Sequence, residues 1–184
     1  MKLIEYIKNE LSALKSQIFE QNELTVLLKP EYQNHPYISG NKWWKLKYNL
    51  EEAIHQGHTT LLTFGGAYSN HIYATAAAAK ELGLSSVGVI RGEETPPLNH
   101  TLTFAKECGM QLHYVSREDY RKKSEAVFIK NLNDRFGRFY LIPEGGTNAL
   151  AVIAMAHGMY VLLLLAVVRL RAGQARAEES ARLL

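Results

Sequence analysis

The stretch TTLLTFGGAYSNHIYATAAAAKELGLSSVGVI, residues 59–90, carries the reading of the fold. An apolar run, TTLLTF, is closed by a glycine pair. NHIYATAAAAKEL is rich in alanine, the best helix former, and stops at Gly83, and a second apolar run, SSVGVI, follows. Two short apolar runs separated by a helical segment indicate parallel strands, because a parallel pair needs a crossover and a helix provides it. The same alternation extends outward. WWKLKYNLEEAIHQG upstream is predicted as a helix ending at Gly57. Downstream come helix LNHTLTFAKECG, strand MQLHYV, helix EDYRKKSEAVFIKNLNDRFG and strand RFYLIP, with helix stops at Gly109 and Gly137. The expected fold class is α/β, with repeated βαβ units forming a parallel, doubly wound open sheet. Ligands of such sheets sit beyond the carboxyl ends of the strands, so the loops after Phe64, Ile90, Val115 and Pro143 are the ones to inspect.

The two ends read differently. Leu3, Ile4, Ile7, Leu11, Leu14 and Ile18 recur at helical spacing and predict an amphipathic helix at the N-terminus, without the apolar centre and cleavage site of a secretory signal. LTVLLKP, residues 24–30, is predicted as a short strand. After Asn148 lysine disappears and Ala, Leu and Arg dominate. Residues 149–168 form an apolar run of about bilayer-spanning length, which reads as a buried helix, as a membrane segment or as residues foreign to the rest. The chain therefore divides into an α/β region, 1–150, and a divergent tail, 151–184.

Composition excludes several classes. A chain of 184 residues, 47% apolar, suffices for one compact domain. The net charge of +3, with both signs interspersed, is far from the basic footprint of nucleic-acid binding. One cysteine, Cys108, allows no intramolecular disulfide and no cysteine-based zinc cluster, and a reduced, cytoplasmic setting is expected. The histidines include no pair at i, i+4 with an adjacent carboxylate, and the glycine pairs make neither GxGxxG nor GxxxxGK[ST]. Metal-dependent proteolysis, dinucleotide binding and P-loop chemistry are thus unsupported.

Two segments carry candidate chemistry. In TFGGAYSNH, residues 63–71, Ser69 and Asn70 stand at a helix start, where unpaired backbone N–H groups suit a carboxylate or phosphate. Ser69 is equally placed to be an ordinary cap. In SGNKWWKLKYNL, residues 39–50, Lys42 precedes a helix. Desolvation by Trp43 and Trp44, and charge from Lys45 and Lys47, would lower its amine pKa as a Schiff-base nucleophile requires. Three lysines in six residues also fit a solvated helix face.

SGNK, then GG-x-x-SNH, then LIPEGGTNALA at residues 141–151 resembles, in order and spacing, the 1-aminocyclopropane-1-carboxylate deaminase and D-cysteine desulfhydrase family of tryptophan-synthase-β-like, fold type II pyridoxal-phosphate enzymes. The resemblance covers about residues 24–151 and only the N-terminal part of that family. It implies that Lys42 is the lysine that holds pyridoxal 5'-phosphate and that Asn70 bonds the cofactor's pyridine 3-oxygen. Ser69 would be catalytic and lie against the substrate. Asn41, Ser69, Asn70 and His71 would contact the substrate. Trp43 and Trp44 depart from the smaller residue and arginine usual in the family.

The implied reaction, of lyase or hydrolase type, removes ammonia from a small amino acid, 1-aminocyclopropane-1-carboxylate or D-cysteine, and leaves a 2-oxo acid. A homodimer is implied by the resemblance alone. The family's phosphate-holding glycine turn has no counterpart between Ala151 and Leu184, so the expectation for this chain by itself is inactivity. The rival expectation is a non-catalytic α/β module whose apolar tail contacts a partner or membrane.

Overall fold

The computed structural model describes residues 11–22 and 24–158. The chain begins with β1 (Ser12–Leu14), α1 (Gln17–Gln21) and β2 (Val26–Leu28), the strands pairing antiparallel with Ser12 opposite Leu28. This corrects the continuous N-terminal helix. Leu14 lies in a strand whose ladder partner is Val26, a non-local pairing that helical spacing does not reveal. Leu3, Ile4 and Ile7 lie outside the described residues.

The main sheet is built from β3 (Thr60–Gly65), β4 (Ser85–Arg91), β5 (Met110–Val115) and β6 (Tyr140–Ile142), all parallel, in the order β5-β4-β3-β6. The chain steps outward from β3 to β5, then returns to the other side of β3. The strand order therefore reverses between β3 and β6, which is where open α/β sheets hold their ligands.

Helices α2 (Asn41–His55), α3 (Asn70–Leu82) and α4 (His100–Glu107) pack on one side, and α5 (Arg117–Arg121) and α6 (Ala126–Phe136) serve the other. Strand alternation sets the division. Leu61 joins the cluster of Leu46, Leu50, Ala74 and Ala78, whereas Leu62 and Phe64 join Val87, Val89, Tyr120 and Leu132. The alanine run of α3 brings that helix close to the sheet, with Ala76, Ala78 and Ala79 fully buried.

The helix predicted over residues 118–137 is broken. It is interrupted at 122–125, where the buried Tyr120 closes α5 and Lys123 leaves the helix to pair with Glu144 at 3.3 Å. Residues 149–158 are helical, with Ala151 and Ala154 buried and Val152 and Ile153 exposed, so the 150/151 division falls inside a helix. The remainder of the apolar run, 159–168, lies outside the described residues. Among the described residues no helix is long and apolar enough to cross a membrane.

Candidate active site

The α2 start is set by Gly40, whose φ of +58° a side chain would resist. Lys42 does not precede the helix but sits in its first turn. The loop leading to it is held by His35, whose Nδ1 accepts from the backbone N–H of Tyr37 at 3.1 Å and of Ile38 at 3.0 Å. That leaves the proton on Nε2, which donates to Glu81 of α3 at 2.8 Å. From this fixed start the Lys42 amine reaches across to the Gly145 carbonyl at 3.4 Å. Its pKa is lowered, first by burial and then by the charge of Lys45. The two tryptophans are core residues: Trp43 and Trp44 meet edge to face at 4.8 Å, and Trp44 Nε1 donates to Glu31 at 2.8 Å.

Gly65 and Gly66 carry the chain from β3 to α3. A Cβ on Gly65 would stand 2.5 Å from Ile72 Cγ1 and 2.8 Å from Ser69 Oγ, so only glycine lets the helix start lie this close to the strand. Ser69 is the N-cap, accepting from the N–H groups of His71 at 3.2 Å and Ile72 at 3.3 Å. Its oxygen is thus engaged in capping, and its own hydroxyl proton is left to donate. Asn70 is exposed, and its side-chain amide makes no hydrogen bond among the described residues. A cleft of about 430 Å³ is lined by Ser39, Asn41, Lys42, Asn70, Tyr73 and His100, among others. Tyr73 forms a wall of it, stacked on Phe104 at 3.9 Å.

His71 is not in that wall; it is 1% exposed and bonded to Thr63 at 2.9 Å. The Thr63 hydroxyl donates its one proton to the Ile142 carbonyl at 2.8 Å, so His71 must donate from Nε2. Its Nδ1 is bare and has no hydrogen-bond partner among the described residues. Burial, then the charges of Lys42 and Lys45, push the imidazole pKa down to about 3. The Pro143 carbonyl favours the cation slightly without bonding Nδ1 in good geometry. A neutral histidine that links β3, α3 and β6 positions the site. It does not line the cleft.

The third motif closes the arrangement. Gly145 and Gly146 have φ of +69° and +71°, and a Cβ on Gly146 would press on His71 Cε1 at 2.9 Å. Lys45 donates to Thr147 Oγ1 at 2.7 Å. Asn148 caps the following helix, its Oδ1 accepting from Ala151 N–H at 3.0 Å. Asn148 also exchanges amide hydrogen bonds with the fully buried Asn49 of α2, at 2.7 and 3.2 Å. Lys42, Asn70 and Asn41 are therefore brought together at the sheet's switch point, with Ser69 and His71 behind them as helix cap and buried support. Sequence reasoning missed Thr63 and Asn49. The visible signal for Thr63 was a hydroxyl between Leu61 and Gly65 on one face of β3.

No family model matches the chain. It is 41% identical over 115 residues to a Thermotoga maritima protein provisionally named a 1-aminocyclopropane-1-carboxylate deaminase, covering 61% of this chain and 36% of that one. It is 34% identical over 122 residues to the mitochondrial bifunctional D-cysteine desulfhydrase/1-aminocyclopropane-1-carboxylate deaminase of Arabidopsis thaliana, covering 61% and 30%. Among solved structures, a homologue of ACC deaminase superposes with a TM-score of 0.67 at 28% identity, over 83% of this chain and 46% of the other. A bacterial threonine deaminase, at 20% identity and a TM-score of 0.60 over 89% of this chain and 47% of its own, shares the fold. The chain spans about a third of the length of the curated relatives it matches. In the share that can be compared, it is a relative of the 1-aminocyclopropane-1-carboxylate deaminase and D-cysteine desulfhydrase family and corresponds to the N-terminal part of that fold.

Proposed function

We propose that this chain is the lysine-bearing part of a pyridoxal-phosphate enzyme that removes ammonia from 1-aminocyclopropane-1-carboxylate or D-cysteine and leaves a 2-oxo acid. The observation that carries the reading is the Lys42 amine. It is half-buried, has a lowered pKa, points to the Gly145 carbonyl and shares a cleft with Asn41 and Asn70. Those residues fit the cofactor: an amine to hold its aldehyde, a free amide for its ring oxygen, and a helix start beside them.

When bound, pyridoxal phosphate supplies an electron sink for the bond broken at the substrate's α-carbon. The chain's own residues do the rest. A depressed pKa raises the unprotonated fraction of Lys42, as an amine that binds a carbonyl or takes a proton must be. The Asn70 backbone N–H, which the Ser69 cap leaves open at the α3 start, and the Asn41 amide suit the substrate carboxylate. Ser69 Oγ, fixed by its two capping bonds, keeps a proton that it can donate toward the cleft. His71, Thr63 and Ile142 hold the α3 start and the Gly145 turn in register, so that the amine and amide keep their separation.

The test is an absorbance scan with added pyridoxal phosphate, borohydride reduction and peptide mapping. The fixed label is expected on Lys42, abolished by Lys42→Ala and retained by Lys122→Ala, a lysine of a charged surface. A label that survives Lys42→Ala would overturn the assignment. We also propose that the 184 residues alone give no 2-oxo acid from either substrate, whereas a chain extended by a family-like C-terminal half does. Turnover by the short chain that is lost with Lys42→Ala would overturn this second proposal alone.

A further inference from the structure

A second cleft, of about 400 Å³, is lined by Arg91, Arg117, Tyr120, Arg121, Lys123 and Glu144. It lies where β4 and β5 end, and it shares no lining residue with the Lys42 cleft. Four cations and one carboxylate face it, and the carboxylate is already paired with Lys123 at 3.3 Å. Arg91, Arg117 and Arg121 make no ion pair among the described residues. Arg91 lies over the Tyr120 ring at 5.8 Å and Lys123 at 4.9 Å. Tyr120 is 3% exposed, yet its hydroxyl has no hydrogen-bond partner among the described residues. Burial first, and then the neighbouring Glu144 carboxylate, raise that hydroxyl's pKa.

Three unpaired guanidinium groups around a small cleft, with a buried hydroxyl left as an unused donor, form a surplus of donors that an oxyanion satisfies. Arginine forks match the geometry of phosphate oxygens, and the volume suits a small ligand rather than a polymer. We propose that this cleft is a binding site for a small phosphate-class dianion, inorganic phosphate or a phosphomonoester, held by Arg91, Arg117 and Arg121 with Tyr120 as a fourth donor. The site borders two of the motifs that build the Lys42 cleft. Arg91 Nη2 lies 3.7 Å from where a Cβ on Gly66 would stand, and Glu144 immediately precedes Gly145. An anion here therefore braces the two glycine turns from outside the Lys42 cleft.

The experiment titrates the full chain with inorganic phosphate, and separately with glycerol 3-phosphate, at constant ionic strength held with potassium chloride, reading the thermal midpoint and direct binding by calorimetry. A saturable rise with phosphate is expected, and a matching response to glycerol 3-phosphate identifies a phosphomonoester site rather than one for the free ion. The double variant Arg117→Gln/Arg121→Gln, at two exposed positions, should weaken binding about tenfold or more, and Tyr120→Phe should weaken it less. Lys42→Ala should leave it unchanged, which separates this site from the proposed cofactor site. No saturable response, or a response that the double variant retains or Lys42→Ala removes, overturns the proposal.

Discussion

His71 titrates at about 3 in the fold against 6.5 for an ordinary imidazole. Below pH 6.5 the unfolded chain takes up a proton that the folded chain refuses, so the unfolded state binds more protons. The stabilising contribution is fully present above pH 6.5 and is lost as pH falls toward 3. The slope from this one residue approaches about 1.4 kcal/mol per pH unit. Urea unfolding of the wild type and of His71→Gln at a series of pH values should show the wild type losing stability more steeply between pH 6 and pH 4. Parallel pH curves would mean that His71 takes up its proton as readily in the fold as in the unfolded chain. At this scale the sequence was half legible. The residues that meet at the cleft were visible as motifs, but the work of each depends on which neighbour reaches it first. Ser69 was placed correctly at a helix start, where both capping and contact were open to it. Thr147 and Asn148 are both cap-forming types, and the fold gives the cap to Asn148 while Thr147 Oγ1 accepts from Lys45.

Elements were the most legible level, because glycine stops and periodicity are local properties. Gly57, Gly83, Gly109 and Gly137 all take positive φ where the helices were expected to end. The failures share a cause: a long-range contact decided them. The break at 122–125 comes where Tyr120 is buried in the core and Lys123 pairs with Glu144, and β1 is paired with β2. Glycines of equal appearance should therefore differ in tolerance. Gly57→Ala meets open space and is strained only by its φ of +69°, at a cost of about 1 kcal/mol. Gly65→Ala drives a methyl group against Ile72 and Ser69 and should cost about 1–3 kcal/mol by overpacking. It should also lower the yield of borohydride-fixed label, which Gly57→Ala should not. Equal urea midpoints for the two variants would show that the α3 start has room to shift.

Across the whole molecule, the tie between residues far apart in sequence is what turns motifs into a site. Asn49 and Asn148, 99 positions apart, exchange amide hydrogen bonds, and Tyr140 adds a longer contact at 3.4 Å. Removing either partner takes the same two hydrogen bonds from the other, so the two losses should overlap. A double-mutant cycle with Asn49→Ala and Asn148→Ala is expected to show a coupling of about 0.5–3 kcal/mol, read from denaturant unfolding. Strict additivity would show that the pair does not hold α2 to the Gly145 turn. The parallel sheet was legible from βαβ order, whereas the position of β6 beside β3 was not, because nothing local marks which edge a returning strand takes.

That position has a consequence during synthesis. β3 receives β4 on one edge soon after both are made, but its other edge waits for residues 140–142. Until Ile142 leaves the ribosome, Thr63 has no carbonyl to receive its proton and His71 has no fixed partner, and the open strand edge is a hazard for association with other chains. Nascent chains halted before β6 should be digested by protease between β3 and α3, and chains halted well beyond Asn148 should resist. Among the four strands of the described main sheet the last made borders the first, so the Gly145 turn that faces Lys42 is placed in the same step that pairs β6 with β3.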